Sequence, residues 1–119
     1  MARYDHLPVF KLAYALTLDL YRLTHDFPRE HKYALGQDIK REANAFLLSI
    51  ISANAAVEKE ESIGVCESML EKVRLLLRIA YDLKLFSKEI ARTLRAQFIE
   101  LGTQLAGWKK WALGTRVAH

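Results

Sequence analysis

Apolar positions recur every three or four residues along most of the chain, and no segment alternates with period two. That spacing keeps apolar side chains on one face of an α-helix. Four helices are predicted, at about 8–25, 31–57, 62–85 and 87–113. The first carries Val9, Ala13, Leu16, Leu20 and Leu23, with Pro8 suited to its opening turn. Asp26-Phe27-Pro28 ends it, because a residue before proline avoids the helical region. The second carries Leu35, Ile39, Ala43, Phe46, Ile50, Ala53 and Val57. Leu47 and Ile51 widen that stripe, so the helix is expected to be buried on more than one side. Glu58-Lys59-Glu60-Glu61 reads as a charged turn, with Ser62 capping the next helix through its hydroxyl.

The third helix carries Val65, Met69, Val73, Leu76, Ala80 and Leu83, with Gly64 weakening its first turn. Ser87 is a good N-cap for the fourth, and Glu89 suits its dipole. Ile90, Leu94, Phe98, Leu101, Leu105 and Trp108 form the fourth stripe, and residues 116–119 are expected to fray. Four amphipathic helices on short connections pack as an up-down antiparallel bundle. The expected fold is all-α, one domain over residues 1–119.

Length and composition agree with this: 119 residues, 51% apolar and 27% charged, make a globular domain with a core of its own. The single cysteine, Cys66, makes no internal disulfide and is expected to pack in the core. The N-terminus lacks the apolar stretch of a signal peptide, and no segment is long and apolar enough to span a bilayer. A cytoplasmic protein with no membrane partner is the expectation.

Charge adds a second pattern. Residues 1–60 hold eight basic and eight acidic residues, whereas residues 61–119 hold ten and six, so the whole net charge of +4 lies in the second half. Lys88, Arg92 and Arg95 recur at four and three on one face of the last helix, with Lys84 just before them. Arg74 and Arg78 lie one turn apart on the third helix, where Glu71 and Asp82 are possible partners. Such arrays bind nucleic acid by displacing counterions from phosphate, and equally form a solvated face. No base-reading motif is present, so binding would be led by shape and charge.

The run Gly102-Thr103-Gln104-Leu105-Ala106-Gly107-Trp108-Lys109-Lys110-Trp111 stands out. A glycine inside a helix costs roughly 0.5–1 kcal/mol relative to alanine. Two of them suggest that another backbone comes close to Gly102, Ala106 and Gly107. That backbone belongs either to a neighbouring helix of the bundle or to another subunit. Trp108 continues the core stripe, whereas Lys110 and Trp111 fall off it as surface or interface residues. Gly36, near the start of the second helix, is expected to admit the first helix closely. Asn44 and Asn54 stand in apolar surroundings and need partners if buried.

No catalytic residue, cofactor or metal is indicated. There is no glycine-rich phosphate loop and no His-Glu-x-x-His. The Glu-x-x-His pairs with which bundles hold two irons are also missing. His25, Asp26, Glu30 and His31 would have to converge from a loop to hold a metal, without the tight spacing usual for such sites.

Leu7-Pro8-x-Phe10-Lys11-x-x-Tyr14, and then Tyr21-x-x-Thr24-x-x-Phe27-Pro28-Arg29-Glu30-x-Lys32-Tyr33-x-Leu35-Gly36-Gln37-x-Ile39, resembles a group of small bacterial and phage four-helix bundles. One branch is encoded in intervening sequences of 23S ribosomal RNA genes and typically continues Ser-x-x-Asn-Ile-Ala-Glu-Gly. Here Ser49–Ala56 lacks that ending. The other branch is the accessory variability determinant of diversity-generating retroelements, with a Leu-Arg-x-x-x-Arg-like segment and a Gly-x-x-x-Gly-Gly-Trp-x-Lys ending. Val73-Arg74-Leu75-Leu76-Leu77-Arg78 and Gly102–Lys110 look like those segments, with Ala106 in place of one glycine.

The resemblance implies a non-enzymatic protein that forms a barrel-like homopentamer. It implies binding to the retroelement's reverse transcriptase and to RNA and DNA during mutagenic reverse transcription. Arg74, Arg78, Lys84, Lys88, Arg92, Arg95, Lys109 and Lys110 are then the candidate contacts. The alternatives are an intervening-sequence-type protein and a plain protein-interaction bundle with no nucleic-acid role.

Overall fold

Pro8 at the first position of α1 (Pro8–His25) supplies a preset φ and lacks only an N–H that no helical bond would use. In the computed structural model, which describes residues 4–118, α1 is followed by a single turn, α2 (Arg29–Lys32), and by three long helices. These are α3 (Leu35–Ala55), α4 (Lys59–Asp82) and α5 (Lys88–Ala118). The described residues contain no strand. α1 packs on α3 and α5, and α4 packs on α3 and α5, which closes an antiparallel four-helix bundle measuring 53 × 24 × 21 Å.

The core stripes of α1 and α3 fall where expected. Val9, Ala13, Leu16 and Leu20 meet Ile39, Ala43, Phe46, Ile50 and Ala53, all buried. The second helix, however, is not continuous from residue 31. It begins at Arg29, breaks at Tyr33-Ala34, and resumes at Leu35. The break lets Phe27 sink into the core while α3 passes close to the end of α1. Gly36 lies at that passage, though the space there would also admit a Cβ in ordinary contact. A Cβ there would lie 3.5 Å from Thr24 Cβ and 3.4 Å from the His31 carbonyl oxygen. Asn44 is exposed rather than buried, and its amide donates to the Tyr21 hydroxyl at 2.9 Å, tying α3 to α1.

The expected turn at Glu58–Glu61 is instead the start of α4. Lys59 Nζ donates to the Asn54 and Ala56 carbonyls, 2.8 Å each, and so satisfies the open end of α3. Glu60 and Glu61 stand in the first turn of α4, where the helix dipole favours them. Ser62 is therefore inside the helix and caps nothing, and Val57, placed in the second stripe, is 99% exposed. The buried face of α4 is Ile63, Cys66, Leu70, Val73, Leu77 and Ala80. Of the expected stripe only Val73 and Ala80 are fully buried; Met69 and Leu76 flank the core, and Val65 and Leu83 are exposed.

α4 ends in a Schellman motif. The Leu85 amide donates to the Ala80 carbonyl (3.0 Å) and the Lys84 amide to that of Tyr81 (2.8 Å). Lys84 holds φ at 63°, a left-handed conformation in which a side chain costs roughly 1–2 kcal/mol. Lys84→Gly is therefore expected to raise stability by about 1 kcal/mol, read as a higher urea midpoint at unchanged slope.

Ser87 caps α5 as expected, its hydroxyl accepting from the Ile90 amide at 3.2 Å. Leu94, Phe98, Leu101 and Leu105 are buried, and Trp108 packs against the core. Ile90 is exposed instead. α5 runs past the expected end at 113 and takes in residues 116–118 that were expected to fray; His119 lies outside the described residues.

Candidate nucleic-acid interface

α4 and α5 run antiparallel, and one ion pair fixes their register. Lys109 Nζ of α5 stands 3.0 Å from Glu67 Oε1 of α4. Gly64 lies beneath it, where a Cβ would make an ordinary contact, 3.8 Å from the Lys109 ammonium. Residues seven apart occupy nearly the same helical face. Counting in sevens from Lys109 reaches Gly102, Arg95 and Lys88; one heptad on from Glu67 is Arg74, followed a turn later by Arg78. Both sets therefore flank the α4/α5 groove, with Arg74 about level with Gly102.

The fold thus gathers the candidate cations from two helices onto one face. Arg74, Arg78, Lys84, Lys88, Arg92, Arg95 and Lys110 are exposed. Arg74 pairs with Glu71 at 3.6 Å, one of the two partners read from the sequence. Lys109 differs from the rest: it is half-buried and spent on joining the two helices. Among the described residues no carboxylate lies within 4 Å of the Arg78, Lys84, Lys88, Arg92, Arg95 or Lys110 cation.

The glycine-rich run is not explained by packing within the protomer. A Cβ at Gly102 or Gly107 would meet nothing within 4 Å, and Ala106 is exposed. Trp111 is 57% exposed and borders a shallow recess with Val57, Lys59 and Glu60 at the bundle's end. The α4/α5 face therefore divides along its length, cationic toward the Lys84 corner and small-sided around Gly102–Ala106. The sequence reading missed Leu75, Ile79 and Ile99, which stand exposed on the outer sides of α4 and α5. Their only signal was falling outside the core stripes.

Opposite polarity marks the α1/α5 cleft, where Asp19, Asp26 and Glu89 gather around Arg22. There the Gln97 amide donates to Asp19 Oδ2 at 3.1 Å. Among the described residues no group of three or more His, Cys, Asp or Glu side chains comes together as metal ligands would. Cys66 is buried, and burial pushes its thiol pKa above the ordinary value, against a smaller opposing effect of a hydrogen bond with Ser49. No helix among the described residues is long and apolar enough to cross a membrane.

Fold and surface together define the class: an all-α four-helix bundle with one face lined by exposed cations. The chain belongs to the bAvd-like family, whose model matches residues 10–112. The match takes in α3 and α4 whole, most of α1 and α5, and the glycine-tryptophan run, and agrees with the accessory-variability-determinant resemblance. No curated protein matches the chain.

Proposed function

We propose that this protein is a non-catalytic accessory factor of a diversity-generating retroelement. On this reading it binds template RNA or DNA and the retroelement's reverse transcriptase, and supports mutagenic reverse transcription in the cytoplasm. The observation that carries the reading is the exposed, largely unpaired cation set on α4 and α5 in a chain of this family. Arg78, Lys84, Lys88, Arg92 and Arg95, with Arg74, serve as the contacts. Lys110 extends them, and Lys109 acts through the α4–α5 tie. Gly102, Ala106 and Gly107 suit close approach by a second copy or by the reverse transcriptase, with Trp111 beside them. Trp108 supports them from the core side. The protomers assemble into a homopentamer.

Replacing Arg92 and Arg95 together by glutamate is expected to weaken RNA and DNA binding by at least about tenfold, about 1.4 kcal/mol, with far-UV circular dichroism unchanged. Unchanged affinity in a gel-shift titration would remove these residues from the site. Light scattering is expected to give a mass near five times the 13.7 kDa protomer. A 13.7 kDa species would contradict the assembly.

A further inference from the structure

The face opposite the cation set lies between α1 and α3, since α1 and α4 each pack on α3 and α5. α1 presents Tyr14 and Tyr21 there, one heptad apart and so on one side of the helix, about 10 Å from each other along its axis. They are 50% and 43% exposed, so both side chains reach solvent. Cations stand around them. Lys40 Nζ of α3 lies 5.5 Å from the centroid of the Tyr21 ring. Lys11, three residues before Tyr14, is exposed, and Arg41 lines the recess beside Tyr21 with Asn44 and Leu48. Arg41 is paired with Asp38. Among the described residues no carboxylate lies within 4 Å of the Lys11 or Lys40 ammonium.

Rings interleaved with cations answer to the two parts of a single-stranded nucleic acid. Unstacked bases lie on aromatic side chains, and cations track the phosphates. In a duplex the bases are already stacked on one another, so an exposed tyrosine has no base face to take. The α4/α5 face differs in this respect. Its exposed apolar side chains Leu75, Ile79 and Ile99 are aliphatic, and Tyr81 is tilted onto Phe86 with centroids 5.7 Å apart. On the α1/α3 face the Tyr21 ring is free but held at its edge, its hydroxyl accepting from the Asn44 amide at 2.9 Å. Little freedom is then lost when a base stacks on it. The excess of cations over carboxylates favours a polyanion over an uncharged protein surface. We propose that the α1/α3 face is a separate site for single-stranded nucleic acid. Tyr14 and Tyr21 stack on bases, and Lys11 and Lys40 meet phosphates. The proposal rests on the nucleic-acid reading above for the class of partner and adds a site outside the cation set.

The test is fluorescence anisotropy with a mixed-sequence single-stranded DNA and its duplex, equal in length and at low salt. It uses the full chain, unaltered and with Arg92→Glu and Arg95→Glu, which disable the opposite face. The charge-reversed chain is expected to keep single-strand binding, at least about fivefold tighter than its duplex binding. Adding Tyr14→Leu and Tyr21→Leu, both exposed positions, should weaken that single-strand binding at least about tenfold with helicity retained. In the unaltered chain the same leucines should leave duplex affinity within about twofold. Tyr14→Phe with Tyr21→Phe keeps the rings and should stay within about threefold of the parent on single strands. The leucine pair should not change the salt slope, whereas Lys11→Gln with Lys40→Gln should flatten it by about 1.4, at about 0.7 per phosphate contact. Three results would overturn the stacking site and leave the nucleic-acid reading standing. They are single-strand affinity untouched by the leucine pair, an equal loss with phenylalanine, and single-strand binding by the unaltered chain alone. The first would turn the face over to a protein partner. Binding of neither probe by either chain would overturn both readings.

Discussion

Phe46→Ala is expected to lower the stability of the bundle by about 3–5 kcal/mol. Phe46 is 1% exposed, midway along α3, the helix that packs on both α1 and α4. Removing the ring takes away its burial and leaves a cavity that rigid flanking helices fill poorly. A domain of this size has about 5–15 kcal/mol in total, so a large share is lost. The melting temperature should fall by roughly 10–20 °C. Leu48→Ala, two residues on and 63% exposed, should change stability by no more than about 0.5 kcal/mol. Thermal and urea unfolding followed by circular dichroism compares the two. Equal effects would mean that α3 does not present the face described.

The second large effect concerns Cys66. Its side chain is fully buried in α4, and burial holds the thiol neutral above the ordinary range near pH 8.5. Alkylation therefore requires opening of the bundle. At a stability of about 5 kcal/mol or more, the native chain should react with iodoacetamide at least about 10³-fold more slowly than the urea-unfolded chain. The sign of the pH dependence follows from the raised pKa. The folded state favours the protonated thiol, so this contribution is complete below about pH 8 and declines as pH rises through the folded value. Cys66→Val, of similar volume, should lose less stability between pH 8 and pH 10. Rapid alkylation of the folded chain, or an identical alkaline decline in both chains, would refute the buried neutral thiol.

How much of this was legible depended on whether a helix has one apolar face or several. In α1 and α3 one stripe dominates, with Leu47 and Ile51 only half-buried beside it, so Leu16, Leu20, Ile39 and Phe46 could be placed from spacing alone. α4 carries Leu75, Leu76 and Leu77 in succession, and two overlapping stripes fit its pattern equally well. The stripe through Val65 and Leu83 went with a start at Ser62. The actual start is set three residues earlier by the Lys59 ammonium on the carbonyls of α3, a contact that leaves no periodic trace. The candidate site was legible in pieces. Spacing joins Lys88, Arg92 and Arg95 because they share one helix. Joining them to Arg74 and Arg78 needs the register between helices, which the Glu67–Lys109 pair sets. That same pair takes Lys109 out of the free cations, which no count of charge reveals.

The corner at Lys84 works as the pivot of a long lever. α5 has 31 residues, an arm of about 46 Å from Lys88 to its far end. A swing of about 5° at the pivot would carry Lys109, about 32 Å out, through nearly 3 Å. That is enough to part it from Glu67. The ion pair therefore fixes the register of α5 against α4 at a point about 25 Å beyond Arg92, together with the buried contacts of Leu101 and Leu105 between them.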